Sequence, residues 1–588
     1  MIFSRLDHIN FLEQELRAQT EAFKQKLETS ALFLLQEREE LFVAQFLKFQ
    51  DGEMILKFSN KRGIPRLGEY LYCITIPKAL RDYNNWNNKT YGDLIKTKDN
   101  YTDIVCIWQS PSIEKDFIIA GFRGIELDFA THIQNAEGMI LILGPKKPPF
   151  EYITNLQKIV NNQTNDVVKN ILDQDFHFSD WTPRMLDGNS NIVKFIRTQL
   201  QLQNSIIIQG PPGTGKTHLI AEFIRKLTNE NKSVLVTALT NRALMEIVEK
   251  PALINHLKEQ RVFKTKLSVD EARFHTDLKQ TKEISPQPGK VILSTFYITS
   301  GLASQIKNEP PFDYVIVDEA SQALLAMFAG ATLLGKKNIW IGDTKQLPPV
   351  VSLSEDKIKG MNYGALVNGL KAQSETTSIP IFQLSESYRL PERAVNYTGI
   401  FYKDTLKSKA NKNISLSFDD LFQGTDKYLN SKGGPTLIKT DLPLGDFKPK
   451  VGISIISEFV KRFLSLNEDL HISVLSYFVE TTKALQKHIY QNIGYNKNLL
   501  IETVSRIQGL TTDLCIFLVP NSGYHRSLEN RVFNVATSRA KRHTIIIIDK
   551  NALSRSQIDN KVKQFLQKLD KDLSFYIKVE TELKMLMK

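Results

Sequence analysis

Gly210-Pro211-Pro212-Gly213-Thr214-Gly215-Lys216-Thr217 has the spacing G-x-x-x-x-G-K-T, the pattern of a loop that wraps phosphate. In such a loop Gly210, Gly213, Thr214 and Gly215 turn backbone N–H groups inward at a helix N-terminus, where the partial positive charge meets an anion, and Pro211, which has no N–H, is expected to line the same nucleotide site by shaping the turn. Lys216 would reach the β- and γ-phosphates, and Thr217 would hold Mg2+ through its hydroxyl. Further along, Val315-Ile316-Val317 precedes Asp318-Glu319. Three β-branched residues followed by two carboxylates read as a buried strand with acids at its end, where open parallel sheets bind ligands. Asp318 is the second candidate Mg2+ ligand, and Glu319 the candidate base for an attacking water. The chemistry is hydrolysis of a nucleotide phosphate. The chain has no Asn-Lys-x-Asp guanine-recognition segment, so the nucleotide expected is ATP.

Such groups need strands that end, and helices that begin, at the right places. Ile206–Ile208, Val234–Thr237, Val291–Ser294, Tyr314–Val317 and Asn338–Ile341 alternate with helical stretches, which predicts a parallel sheet with helices on both faces. A second α/β lobe is expected from near Ile379, with strands at Ile472–Leu475, Glu502–Val504, Leu514–Val519 and Thr544–Ile548. Around these lobes the periodicity predicts a helical stalk over 1–50, whose apolar residues recur at helical spacing from Phe11 to Phe46. A β-rich accessory domain over 51–150, of barrel type, has candidate strands at Met54–Phe58, Tyr70–Ile76, Asp103–Trp108, Phe117–Phe122 and Met139–Leu143. The stalk returns over 151–184. Lobe 1 then covers 185–377, with a charged, mostly helical insertion at 244–289. Lobe 2 covers 378–550, with a Lys-, Ser-, Asn- and Gly-rich insertion or loop at 406–445, and a helical tail follows over 551–588.

A chain of 588 residues has room for about four such units. Hydrophobic residues at 42% and charged ones at 24% are ordinary for a soluble protein. The longest apolar run, Ala323 to Ala329, is far too short to span a bilayer. The N-terminus lacks the basic-then-apolar order of a secretory signal. The expectation is a cytoplasmic protein with no membrane segment. Cys73, Cys106 and Cys515 are too dispersed for a metal knuckle or a disulfide framework. A net charge of +12 favours a polyanionic partner.

In their order, these segments resemble superfamily 1 helicases of the 1B type, nearest the up-frameshift-like branch, over about 185–402 and 470–550. Gln209–Thr217 matches that family's QGPPGTGKT. Val234–Asn241 resembles the motif whose hydroxyls and backbone touch a nucleic-acid strand, which implies contacts from Thr237, Thr240 and Asn241, although both threonines equally suit helix capping. Ser294 and Thr295 resemble a further strand-contact motif. Gly342-Asp343-Thr344-Lys345-Gln346-Leu347-Pro348-Pro349 puts Gln346 where the family senses the γ-phosphate. Ser387-Tyr388-Arg389-Leu390-Pro391 resembles YRMHP, implying Tyr388 near adenine and Arg389 on the γ-phosphate. Arg531–Lys541 resembles the NVALTRA segment, with Arg539 as a second arginine finger.

Thr503–Gly509 matches the segment that couples ATP to the strand, which implies Thr503 as a strand contact and Gln508 and Gly509 as nucleotide contacts. Two departures stand out. Relatives follow the Gln with Gly-Arg-Glu-x-Asp, but this chain reads Gly509-Leu510-Thr511-Thr512-Asp513, a RecD-like run with Thr511 in place of the acid. The adenine-reading Gln upstream is also absent, with Asn191 the nearest amide. The 51–150 and 244–289 regions occupy positions like the family's accessory domains 1B and 1C. Phe296, Tyr297, Tyr477 and Phe478 follow strand ends and suit base stacking.

The fold class expected is therefore α/β: two RecA-like parallel-sheet lobes with a helical stalk, a small β-rich accessory domain and a helical insertion. The resemblance implies an ATP- and Mg2+-dependent helicase or translocase, working as a monomer, that moves 5′-to-3′ on single-stranded DNA or RNA and meets protein partners through its accessory regions. The alternative is a remodelling or clamp module in which ATP governs residence on nucleic acid without processive unwinding. A nuclease is disfavoured, since no carboxylate–lysine cluster stands outside the lobes. A scaffold without catalysis is disfavoured by the intact set Lys216, Thr217, Asp318, Glu319, Gln346, Arg389 and Arg539.

Overall fold

The computed structural model describes residues 3–578 except 60, 62, 113, 115, 163–165, 174–182, 187–190, 308, 376–378, 411–427, 495, 508 and 556. The stalk begins with a helix, Arg5–Glu28, closed at its N-terminus by a reciprocal Ser4–Asp7 capping box. A short helix, Ala31–Gln36, follows. The helical reading of 1–50 then fails, because Phe42–Gln50 is a strand, β1. Phe42 and Phe46 stand four apart, which suits a helix, but Phe42, Ala44 and Phe46 also alternate at period two, and it is this face that is buried. Its pairing partners decide the matter, and they lie elsewhere in the chain.

β1 joins β2 (Glu53–Ser59), β3 (Tyr70–Thr75), β4 (Asn100–Pro111), β5 (Phe117–Arg123) and β6 (Ile140–Gly144) in a closed barrel ordered β1-β2-β5-β4-β3-β6. The β1–β2 hairpin turns through Asp51 and Gly52, at φ 55° and 80°, the pair of positive values that a two-residue turn matched to strand twist requires. Closure leaves no free sheet edge. The barrel core includes Phe42, Phe46, Leu56, Phe58, Leu71, Phe122 and Leu143.

Helices Phe150–Val160 and Asp166–Leu172 return the stalk to lobe 1. The lobe's sheet contains β7 (Arg184–Leu186), β8 (Ser205–Gln209), β9 (Val234–Ala238), β10 (Val262–Lys264), β11 (Lys279–Gln280), β12 (Val291–Thr295), β13 (Phe312–Val317), β14 (Gly335–Gly342) and β15 (Ile381–Leu384). Its order is β11-β10-β12-β9-β13-β14-β8-β15-β7, and all pairings are parallel. Separate apolar clusters cover its two faces. Two expectations change here. The 244–289 insertion is not simply helical, since β10 and β11 extend the sheet. Lobe 1 also does not end at 377, because β15 pairs with β8 and β7. Both changes rest on pairing between strands, for β15 with strands far away in sequence, which local periodicity does not carry.

Lobe 2 opens with β16 (Glu386–Ser387) against β17 (Lys407–Ser408). Its main sheet holds β18 (Gly434–Thr440), β19 (Ile472–Ser476), β20 (Leu499–Thr503), β21 (Thr512–Leu518), β22 (Ala540–Asp549) and β23 (Ser574–Tyr576), ordered β20-β19-β21-β22-β18-β23. The segment 406–445 is therefore not wholly a loop, since β18 lies inside the sheet, while 411–427 falls outside the described residues. The expected tail is part of the lobe as well. Helix Asn560–Asp572 buries Val562, Phe565, Leu566 and Leu569, and β23 pairs with β18. Among the described residues, no helix is long and apolar enough to cross a membrane.

Candidate active site between the lobes

Strand β8 ends at Gln209, and the chain turns through Gly213 (φ 73°) and Gly215 (φ 80°) into helix Lys216–Asn229. Glycine is demanded by space as well as by dihedral. A Cβ at Gly213 would lie 2.4 Å from the Arg389 Cβ of lobe 2, and one at Gly210 would lie 2.3 Å from the Lys216 side chain. The phosphate loop is thus packed against its own lysine and against the other lobe. Lys216 Nζ donates to the carbonyls of Gly210 at 2.6 Å and Pro211 at 3.4 Å. Burial lowers its pKa, while Asp343 and Asp318 oppose that shift. A buried ammonium hydrogen-bonded to neutral carbonyls is stabilised further by an anion such as a phosphate.

Asp318 and Glu319 follow β13 on the same side of the sheet. Burial pushes the Asp318 carboxyl up to about 6, against the opposing bond from Glu319 N–H. Glu319 is pushed up to about 8, first by burial and then by the carboxylates of Asp318 and Glu246. Its backbone sits at φ 50°, an uncommon conformation for a residue with a side chain. Burial outweighs the favourable charge of Lys216 at both acids, so their neutral forms are favoured. The Thr217 hydroxyl and the Asp318 carboxylate are hard oxygen donors of the kind that could hold Mg2+ beside phosphate oxygens, and among the described residues no group of three or more His, Cys, Asp or Glu is placed to hold a metal ion.

The far side of the cleft belongs to lobe 2. Arg539 is 2% exposed. Its Nε donates to Val535 O at 2.9 Å, one Nη to Leu510 O at 3.3 Å, and the other to Gln346 Oε1 of lobe 1 at 3.5 Å. An Arg389 Nη donates to Ser538 O at 3.3 Å. Burial and the neighbouring Arg539 both disfavour the charge on Arg389. Tyr388 N–H donates to Gly213 O at 2.8 Å, and the Ser387 hydroxyl to Pro212 O at 2.9 Å, so this segment rests directly on the phosphate loop. The cavity between the lobes has a volume of about 910 Å3 and brings together Gly213, Thr214, Gly215, Lys216, Thr217, Asp318, Glu319, Gln346, Tyr388, Arg389, Gly509 and Arg539. Thr511 also lines it.

Other expected residues lie elsewhere. Asn191 caps helix Ile192–Leu202, its side chain accepting from Lys194 N–H at 3.0 Å, and it is not among the residues lining the cavity. Gln508 lies outside the described residues. Thr237 is fully buried and bonded to Thr299 at 3.0 Å, and Ser294 is bonded to Thr265 at 3.1 Å. Thr295 and Thr503 are also buried, while Thr240 and Asn241 are exposed at the start of helix Asn241–Val248, where Thr240 is the N-cap. Phe296 is not a stacking platform. It is fully buried in the lobe 1 core, because the helix it begins turns that side inward. Tyr477 and Phe478 are half-buried, and Phe478 packs edge-on against Phe447 and Tyr477. The sequence reading missed Glu246, Asp343, Tyr402 and Asn534. Asp343 and Asn534 lie inside motifs named above, but nothing local marks Glu246 or Tyr402.

An AAA domain model matches residues 194–352, and a second AAA domain model matches 370–551. The DNA replication ATP-dependent helicase/nuclease dna2 of Schizosaccharomyces pombe is 27% identical over 409 residues, covering 62% of this chain and 28% of that protein. The Saccharomyces cerevisiae DNA replication ATP-dependent helicase/nuclease DNA2 is 28% identical over 236 residues, covering 39% of this chain and 15% of that protein. The chain has a superfamily-1-like helicase/ATPase fold. An uncharacterized ATP-dependent helicase of Methanocaldococcus jannaschii is 23% identical over 469 residues, covering 62% of this chain and 68% of that protein. The chain spans under a third of the length of either yeast relative. The domain matches and the relatives support ATP hydrolysis as its enzymatic activity.

Proposed function

We propose that this chain is an ATP-dependent helicase or single-strand translocase of the 1B type, using Mg2+ and working as a monomer in the cytoplasm, with 5′-to-3′ motion. The observation that carries the reading is the meeting of Arg539 from lobe 2 with Gln346 from lobe 1, across the cavity that Lys216, Asp318 and Glu319 line. A nucleotide there is held by lobe 1 and completed by lobe 2, so hydrolysis depends on how the lobes sit together.

The phosphate loop and Lys216 bind and orient the phosphates. Thr217 and Asp318 would hold Mg2+, which when bound neutralises phosphate charge. Glu319 takes the proton of the attacking water as a new oxygen–γ-phosphorus bond forms and the bond to the ADP leaving oxygen breaks. Gln346 orients that water, and Arg389 and Arg539 offset the charge spreading over the phosphoryl oxygens. Release of phosphate removes their shared anion and lets the lobes part, which would step a strand bound across both. The coupling segment is also tied to the accessory barrel. Arg506 donates to Gly68 O at 2.9 Å and Gln486 to Leu67 O at 3.3 Å, a mechanical link from lobe 2 to the 1B-like domain.

The polymer is single-stranded DNA or RNA, and the relatives named for DNA replication make DNA the first to test. The experiment is ATP hydrolysis with and without matched DNA and RNA strands, with Lys216→Ala as the blank, followed by unwinding of duplexes tailed at either end. Stimulation by a strand and unwinding from a 5′ tail are expected. Stimulation without strand displacement would point to the clamp module, and no stimulation by either polymer would end the motor reading.

A further inference from the structure

The carboxylate of Asp343, in the lobe 1 loop that carries Gln346, is 2% exposed and surrounded by donors. Oδ1 accepts from Gln209 Nε2 at 2.5 Å and from Lys345 N–H at 3.0 Å, and Oδ2 accepts from Gln346 Nε2 at 2.7 Å. The remaining donor comes from the other lobe. The hydroxyl of Tyr402, set in the lobe 2 core, donates to Oδ2 at 2.6 Å. Asn534 Nδ2 in turn donates to the Tyr402 oxygen at 2.8 Å and to Lys345 O at 2.8 Å. Asn534 lies on helix Asn530–Thr537, which leads directly to Arg539.

The chemistry of the partners fixes the orientations. A carboxylate only accepts, so Gln346 must turn its amide nitrogen to Asp343 and its oxygen towards Arg539. A carbonyl only accepts, so Asn534 must present its nitrogen to Lys345, which leaves the Tyr402 hydroxyl to donate towards Asp343. One chain of bonds therefore runs from the Arg539 helix through Tyr402 to Asp343, and from there to the Gln346 amide that meets Arg539.

We propose that Tyr402 is a positioning residue: its hydroxyl latches lobe 2 onto Asp343, and so sets Gln346 and Arg539 in register for hydrolysis, while leaving the nucleotide-holding loop untouched. The proposal rests on the ATPase reading of the cleft.

The test is Tyr402→Phe in the full chain, which removes the hydroxyl and keeps the ring. We expect kcat for ATP to fall about tenfold, the loss corresponding to one hydrogen bond to a charged group in the transition state, with KM within about twofold. In an Arg539→Lys background the same change should lower kcat little further, because both act on one contact. A second readout needs no catalysis: dyes placed on the two lobes should report a broader distance distribution in Tyr402→Phe than in the unaltered chain. Should Tyr402→Phe fail to fold, Asn534→Ser must give the same kcat-without-KM pattern at smaller amplitude. Unchanged kcat together with an unchanged distance distribution, a rise in KM alone, or full additivity with Arg539→Lys would overturn the proposal. If the unaltered chain hydrolyses no ATP, the ATPase reading fails, and the distance distributions alone then decide the latch.

Discussion

Lobe 1 and lobe 2 build their halves of the cleft by different means. Lobe 1 works mainly through main chain and local order: a strand, a glycine-shaped loop and a helix follow one another over Ser205–Asn229, and the acids stand directly after β13. Lobe 2 works through long side chains that reach remote partners, as with Arg389 on Ser538 O and Arg539 on Leu510 O and on Gln346 of lobe 1. The first arrangement is set by a few adjacent residues. The second is completed only where Arg539 meets Gln346 across the lobes. Lobe 1 should therefore govern whether nucleotide binds, and lobe 2 whether it turns over.

The sharpest break between the two should be seen with Lys216→Ala. It is expected to lower kcat/KM by about 10^4-fold and to weaken ATP binding measured by calorimetry, because both ground state and transition state lose the ammonium. Arg539→Ala and Arg389→Ala should lower kcat by about 10^3-fold in single-turnover assays while ATP affinity changes by less than about tenfold. If those arginine variants lose binding as fully as Lys216→Ala, the division of labour between the lobes is wrong.

Glu319→Gln should cost about 10^2-fold in kcat, the contribution of a general base. The pH profile sharpens this prediction. With its pKa raised to about 8, Glu319 becomes a base as pH rises, so the wild-type rate climbs towards that pH, or earlier where a cation at Asp318 draws the value down. The glutamine variant should lack that limb. The same shift has a stability sign. A carboxyl whose folded-state pKa lies above its ordinary 4.5 favours the folded chain at low pH, and that contribution is lost as pH rises from about 4.5 through about 8. Glu319→Gln should therefore raise Tm at pH 8 more than at pH 5.

The smallest effect concerns Asn191. As a helix cap its replacement by alanine should lower stability by about 1 kcal/mol in a denaturant melt and leave KM for ATP unchanged. A raised KM with no loss of stability would return it to the adenine-reading role implied by its place in the chain.

Legibility follows the same divide. The phosphate loop, the Asp318-Glu319 pair and four of the five expected barrel strands nearly to the residue could be read because each lies in one short window with its own periodicity or spacing. The departures all involve pairing. Phe42–Gln50, Ile381–Leu384, Gly434–Thr440 and Ser574–Tyr576 become strands through neighbours remote in the chain, and they moved the lobe boundaries with them. Phe296 was misread for a related reason: an aromatic after a strand looks alike in sequence whether it faces a groove or the core, and packing alone buried it.

Sequence by itself thus determined the local pattern: a glycine-rich loop between strand and helix, two adjacent acids after a buried strand, and arginines in the order the resemblance implies. Tertiary structure alone decided which of these groups meet. Tyr402 reaches Asp343 across 59 positions and Asn534 reaches Tyr402 across 132. A hydrogen bond is specified by distance and direction in space, and at such separations along the chain only the packed core of each lobe sets either one.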